Sequence, residues 1–72
     1  MARWTEQTRD DFLAGFATAT GFPRNEAVEQ WAGFSRQLSH ADLRTAEAGG
    51  YEAGQEQGQA FIELYPTTGE EA

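Results

Sequence analysis

The residue types that most often carry catalysis or bind metals are scarce in this chain, which has one histidine, His40, and no cysteine. As a catalytic base His40 would need a nearby nucleophile, but Ser39 suits the cap of a following helix and Ser35 falls on an apolar helix face. As a metal ligand it has Asp42 at i+2 and Glu47 at i+7, and neither gives the i, i+4 pair that helical sites use. We therefore predict that the chain is not an enzyme and holds no metal or cofactor.

Carboxylates are the second group that could do chemistry, since 12 Asp and Glu residues stand against five Arg, giving a formal charge of −7. Their spacing follows the solvated faces of the predicted helices, and Glu52, Glu56 and Glu63 form a candidate acidic face on the last one. This charge disfavours nucleic acid and anionic membrane as direct partners, because neither polyanion would be neutralised.

Small residues form a third pattern between Leu43 and Tyr65. Five positions recur there every four residues: Ala46, Gly50, Gly54, Gly58 and Ile62. In a helix they would form a shallow groove that another backbone can approach closely. The charged and amide side chains of the same stretch exclude a membrane span. The groove therefore packs on the rest of the chain or on a second copy, or the glycines only mark breaks in the helix, and all three interpretations stay open.

Three amphipathic segments carry these residues, and the first is predicted over 6–20. Thr5 and Thr8 are both suitable N-caps, and Thr8 with Asp11 matches a capping box. Gly21 suits the position just after the helix, where a left-handed conformation often ends it.

The second segment, 24–38, has the clearest helical periodicity in the chain. Its apolar face contains Ala27, Val28, Trp31, Phe34, Ser35 and Leu38. Charged and polar residues occupy the opposite face, so this segment predicts an amphipathic helix.

The third segment, 40–65, is either one long helix or two shorter ones. Ser39, with Asp42 three residues later, predicts a helix start at the following residue. The apolar pattern keeps its phase across Gly49-Gly50, which favours continuity. Each interior glycine costs about 1 kcal/mol relative to alanine, however, and the pair could end one helix and release another over 51–65. We predict the continuous helix, with the break as the alternative.

Together the segments predict one small all-α domain over 1–65, a three-helix bundle or open helical hairpin, followed by a disordered acidic tail over 66–72. With 72 residues the core is small, so association would help to stabilise it. No apolar run resembles a signal peptide or a membrane span, so the expected location is the cytoplasm.

Two short stretches resemble known families. Residues 20–28, TGFPRNEAV, resemble the loop and second helix of ubiquitin-associated domains, which implies a three-helix bundle that binds ubiquitin through the turn. The resemblance covers about a dozen residues, and Thr20 replaces the Met or Leu of those domains. The glycine repeat also resembles helices of bacterial export regulators. Both matches are too short to indicate family membership.

The favoured function is a non-catalytic protein-binding module, a small acidic regulator or inhibitor that forms a homodimer. A long third helix would extend beyond its two short neighbours and expose an apolar patch, which typically marks an interface. The candidate interface residues are Trp31, Phe34, Gly50, Gly54, Gly58, Phe61, Leu64 and Tyr65.

Two other functions stay open. The first is an acidic decoy that mimics nucleic acid and blocks a basic channel, a type common among phage-encoded inhibitors, including anti-CRISPR proteins. Its contact residues would be Glu52, Glu56, Glu63, Glu70 and Glu71. The second is a small transcription regulator in which Gly21-Phe22-Pro23 joins a helix-turn-helix. Its second helix carries as many acidic as basic side chains, which disfavours phosphate contact.

Overall fold

The computed structural model describes residues 3–65, and these residues form four α-helices joined by short turns. The helices are α1 (Glu6–Thr20), α2 (Arg24–Phe34), α3 (His40–Ala48) and α4 (Gly50–Leu64), and one 3-10 turn, Ser35–Gln37, extends α2. Within residues 3–65 there is no β-strand, so the predicted all-α class is confirmed. The tail that we predicted over 66–72 lies outside the described residues.

Helix α1 begins with a capping box made by two threonines. The Thr5 hydroxyl accepts a hydrogen bond from the Thr8 N–H at 3.0 Å, and the Thr8 hydroxyl accepts one from the Thr5 N–H at 2.9 Å. The box therefore lies three residues earlier than the predicted pair of Thr8 and Asp11, whose carboxylate instead accepts from the Gln7 amide. The helix ends at Gly21 with φ +83°, as predicted.

The second and third helices start where the sequence indicated. Helix α2 follows Pro23, whose φ of −66° suits the residue before a helix. Its last turn tightens into the 3-10 turn and stops before Leu38, which is extended. The helix predicted over 24–38 is therefore α-helical only as far as Phe34, and the 3-10 turn and the extended Leu38 follow it. Ser39 caps α3, because its hydroxyl accepts a hydrogen bond from the N–H three residues later at 3.1 Å.

The segment predicted as one helix over 40–65 is broken at Gly49-Gly50, so the continuous helix is wrong and the alternative is confirmed. Gly50 has φ +74°, a conformation that side chains with a Cβ rarely adopt. The Gly49 N–H donates to the Ala46 oxygen at 3.2 Å and closes the last turn of α3. Both α3 and α4 contact α1.

Helices α1 and α4 form the main packing interface and run in the same direction. Phe12 lies beside Gly54, and one turn later Phe16 lies beside Gly58. A parallel pair needs a crossover connection, and α2 with α3 supplies it. The crossover also supplies the side chains that cover the aromatic face of α1.

The core consists of six buried apolar side chains, and four of them are aromatic. They are Phe12, Leu13, Phe16, Ala27, Trp31 and Phe61. The predicted apolar face of α2 is thus confirmed at Ala27 and Trp31, whereas Leu38, at its far end, is 37% exposed. The Phe12 and Trp31 rings have centroids 4.5 Å apart, so α1 and α2 are joined by direct aromatic contact.

Candidate functional site

Three glycines bring the backbones of α1 and α4 together in what we call the glycine seam: Gly15, Gly54 and Gly58. A Cβ added at Gly54 would overlap the carbonyl oxygen of Phe12, and a Cβ added at Gly15 would overlap that of Tyr51. At Gly58 an added Cβ would lie 3.1 Å from a backbone oxygen of α1. Side chains at these positions would force the two helices apart, so the seam depends on their absence.

The glycine stripe predicted from the sequence is therefore used within the chain. Gly54 and Gly58 are buried against α1, which fills the groove that we also considered for a second copy. Gly50 is half-buried, and a Cβ added there would meet only the Asp11 Cβ at 4.0 Å. Its role lies in the positive φ at the break and not in close packing.

A buried glutamate joins both tryptophans of the chain in what we call the tryptophan–glutamate centre: Trp4, Trp31 and Glu47. Glu47 is 4% exposed, and its two carboxylate oxygens each accept an indole N–H at 2.7 Å, one from Trp4 and one from Trp31. The Arg9 Nε lies 3.9 Å from the oxygen that Trp4 binds. Because an indole N–H can only donate, this arrangement satisfies the buried donor of Trp31, the half-buried donor of Trp4 and both acceptor oxygens.

The tryptophan–glutamate centre ties three separate elements together. Trp4 precedes α1, Trp31 lies on α2 and Glu47 lies on α3. The guanidinium carbon of Arg44 lies 4.8 Å from the centroid of the Trp4 ring, within the range of a cation–π contact. The centre therefore fixes the start of the chain and the crossover with directional bonds, which the apolar core does not supply.

Our sequence analysis did not pair Trp4 with Glu47, although a signal was present. Glu47 falls one helical turn after Leu43, on the same face of α3 as the half-buried Ala46. A carboxylate on an apolar face needs hydrogen-bond donors, and a buried tryptophan needs an acceptor. The two observations together indicate a partnership, but they do not identify which residues meet.

Beside the centre lies a depression of about 470 Å³ that we call the basic cleft. Three of the chain's five arginines line it, Arg9, Arg36 and Arg44, together with His40. Among its lining residues, all within 3–65, Glu47 is the single acid. The cleft is thus a basic region on a chain whose net charge is −7.

A second depression, of about 430 Å³, lies between the end of α4 and α2, and we call it the aromatic groove. Its lining residues are Phe22, Gln30, Gly33, Phe34, Phe61 and Tyr65. The Phe34 ring centroid lies 5.3 Å from that of Phe61 and 6.0 Å from that of Tyr65. Tyr65, which lines the groove, is 53% exposed, and Leu64, the residue before it, is 64% exposed.

The eight predicted interface residues fall into three groups by exposure. Trp31, Gly54, Gly58 and Phe61 are buried, Phe34 and Gly50 are half-buried, and Leu64 and Tyr65 are exposed. The structure brings Phe34, Phe61 and Tyr65 together in the aromatic groove, while Gly50 lies at the opposite end of α4. An apolar surface at the end of the last helix is therefore present, although the helix is shorter than predicted.

The predicted acidic face is exposed along α4. Glu52, Glu56 and Glu63 are all exposed, and the first and last of them are 11 positions apart, or about 17 Å along the helix axis. Glu70 and Glu71, which we added to this face, lie outside the described residues.

Other chemistry is sparse in the described part of the chain. His40 is exposed at the first position of α3, on the edge of the basic cleft. Within residues 3–65, no three His, Cys, Asp or Glu side chains are grouped closely enough to hold a metal ion. None of the helices in that range has both the length and the apolar content that crossing a membrane requires.

Comparison with family models, with curated proteins and with solved structures gives no match.

Proposed function

We propose that this chain is a non-catalytic protein-binding module, a small acidic regulator or inhibitor that contacts its partner through the aromatic groove. The observation that carries the proposal is the exposed apolar end of α4, where Leu64 and Tyr65 lie beside an aromatic depression. Apolar surface of this kind on a small protein is typical of an interaction site. Burying a leucine side chain fully contributes about 1.5–3 kcal/mol, which makes Leu64 a suitable anchor.

The floor of the groove is preformed, which favours binding. Phe61 is 7% exposed, and its ring packs edge-on against those of Phe22 and Phe34, with centroids 5.7 and 5.3 Å apart. These rings belong to or directly contact the core, so they are ordered before a partner arrives. A preorganised surface loses less conformational entropy on binding than a flexible one.

The charge around the groove favours a basic partner over a second copy. No charged residue lines the groove itself, but Gln30 at its edge donates to the Glu26 carboxylate at 3.0 Å, and the exposed Glu63 precedes Leu64. Two copies meeting here would bring like charges together on chains of −7 each. The fitting occupant is a protein segment with an apolar side chain flanked by Lys or Arg, such as an amphipathic helix.

The test is a selection of helical peptides from a display library against the intact chain, followed by affinity measurement. We expect selected peptides to combine apolar anchors with flanking Lys or Arg. The double variant L64D/Y65D should weaken their binding at least about tenfold, or 1.4 kcal/mol. The matched control is Tyr51→Asp, an exposed aromatic in the first turn of the same helix, which should leave binding within about twofold.

Sedimentation of the chain alone completes the test. A monomer that binds basic peptides through Leu64 and Tyr65 supports the proposal. A dimer that L64D/Y65D dissociates would make the groove a self-association surface, as the homodimer prediction holds, and would overturn the basic partner. If L64D/Y65D left the affinity for the selected peptides unchanged, the groove would not be the binding site.

A second candidate, the nucleic-acid-mimicking decoy, is favoured by the row of exposed carboxylates on α4. Glu52, Glu56 and Glu63 face solvent on one helix, in the regular spacing that could oppose a basic channel. A decoy of this kind, including the anti-CRISPR type of phage-encoded inhibitor, should bind a polybasic probe such as poly-lysine with a steep loss of affinity as salt rises. The E52K/E56K variant should abolish that binding, whereas L64D/Y65D, which adds two carboxylates, should not weaken it. The reverse pattern would contradict the decoy.

A further inference from the structure

The basic cleft has a charge opposite to that of the chain as a whole. Arg9, Arg36 and Arg44 line it with His40, while the chain carries 12 acidic residues, of which only Glu47 contributes to the lining. Arginine forks bind oxyanions through several N–H groups at once, which makes such a grouping suited to a phosphate.

The one acid in the cleft is already occupied. Both Glu47 oxygens accept an indole N–H at 2.7 Å, and Arg9 lies 3.9 Å from one of them. Glu47 and Arg9 therefore offset each other locally. Among residues 3–65, Arg36 and Arg44 form no salt bridge, so their charge is available to a ligand.

The start of α3 adds to the positive electrostatic potential of the basic cleft. His40 is the first residue of this nine-residue helix and lines the cleft, so the positive end of the helix dipole lies at its edge. Helix starts commonly bind phosphate in this way, and here the dipole supplements the arginines.

The remaining wall of the cleft is apolar. Val28, Leu38 and Leu43 line it together with the Trp4 ring, and Leu38 is 37% exposed. A ligand that fits both surfaces has a charged head beside the arginines and a flat apolar body against the leucines. The volume of about 470 Å³ lies within the range of small-molecule sites.

We propose that the basic cleft is a binding site for a small molecule bearing a phosphate and an aromatic ring, separate from the aromatic groove. The phosphate contacts Arg36, Arg44 and the start of α3, and the ring contacts Leu38 and Leu43. The site does not depend on the proposed protein-binding role, because it shares no lining residue with the aromatic groove.

The chain contains its own reporter for this site, since both of its tryptophans line the cleft. The experiment titrates the intact chain with phenyl phosphate and follows tryptophan fluorescence, with calorimetry as a second measure. Inorganic phosphate and benzyl alcohol test the head and the ring alone. We expect saturable binding of phenyl phosphate with a Kd below about 1 mM and at least about tenfold weaker binding of either half.

The arginines are tested by two variants of equal charge change. R36A/R44A should weaken phenyl phosphate binding at least about tenfold, whereas R3A/R24A, which removes two arginines outside the cleft, should change it by less than about twofold. Arg36→Ala alone keeps the contact between Arg44 and Trp4, so it tests the site even if the double variant disturbs the fold.

Three results would overturn the proposal. One is the absence of saturable binding of phenyl phosphate. Another is equal weakening by R36A/R44A and R3A/R24A, because that would reflect the overall charge. The last is benzyl alcohol binding as tightly as phenyl phosphate, because the cleft would then recognise only the ring.

Discussion

The glycine seam holds α1 to α4, and the tryptophan–glutamate centre joins the segment before α1 to α2 and α3, by opposite means. In the seam, Gly54 lets two backbones meet because it has no side chain. In the centre, Glu47 holds two indoles because its side chain supplies two acceptors. The same small domain therefore uses close backbone contact where two helices run side by side. It uses directional hydrogen bonds where three separate elements meet.

The two regions also differ in how they should respond to substitution. The seam glycines lie against backbone atoms of the facing helix, α1 or α4, which cannot rotate away from an added group. The contacts of the centre are between side chains, some of which can be replaced by groups of similar shape. We expect even one added methyl group to destabilise the seam. In the centre, a substitution that keeps the shape of Glu47 should cost less than one that removes both of its acceptor oxygens.

The largest expected effect is at Gly54. Gly54→Ala places a methyl group against the Phe12 carbonyl and should reduce the free energy of unfolding on the order of 3 kcal/mol or more, measured by urea denaturation. The matched control is Gly33→Ala on α2, where an added Cβ meets nothing within 4 Å. This control should stabilise the chain by about 0.5–1 kcal/mol through helix propensity. Equal effects at the two glycines would contradict the seam.

The next effect is at Glu47. Glu47→Ala leaves the buried indole N–H of Trp31 and the half-buried one of Trp4 without acceptors and should destabilise the fold by about 2–3 kcal/mol, with a change in tryptophan fluorescence. Glu47→Gln keeps the shape but offers one acceptor, so its loss should be smaller. Glu52→Ala on the exposed face should change stability by less than about 0.5 kcal/mol. If Glu47→Ala were as mild as Glu52→Ala, the hydrogen bonds of the centre would contribute nothing.

An intermediate effect is expected at the joint between the two regions, Gly50. Gly50→Ala must hold φ +74° with a Cβ, which should cost about 1–2 kcal/mol in thermal or urea unfolding although the surrounding space is open. Gly50→Asn should lose less, because asparagine tolerates the left-handed conformation better. A stabilised Gly50→Ala variant would instead show that α3 and α4 can merge into the continuous helix.

The smallest effect on stability is expected at the exposed end of α4. Leu64→Asp should change the free energy of unfolding by less than about 0.5 kcal/mol, because the side chain is 64% exposed. Circular dichroism with urea measures this directly. A loss comparable to that at Glu47 would mean that Leu64 belongs to the core and cannot serve as a free anchor for a partner.

Much of the fold could be predicted from local patterns. The Gly21 and Ser39 boundaries and the apolar face of α2 follow from rules that involve residues within one or two turns of each other. The break at Gly49-Gly50 could not be decided in this way. The helix-propensity penalty of the two glycines and the continuous apolar pattern favoured opposite answers, and both halves contact α1 in the folded chain.

The candidate sites were predicted less completely, for a physical reason. The apolar end of α4 was visible because Leu64 and Tyr65 extend a helical pattern past its neighbours. The basic cleft was not, because its arginines come from α1, from the turn after α2 and from α3, and no spacing rule connects them.

By itself the sequence determined the class of the fold, the helix boundaries at Gly21 and Ser39 and the absence of a cysteine- or histidine-rich site. Tertiary structure alone decided which contacts the glycines of the seam and the buried Glu47 make. The glycine stripe allows the backbone of any neighbouring helix to approach closely. Only the parallel packing of α1 on α4 shows that this helix is α1. Trp4 and Glu47 are 43 residues apart, so their hydrogen bond exists only once the helices have assembled.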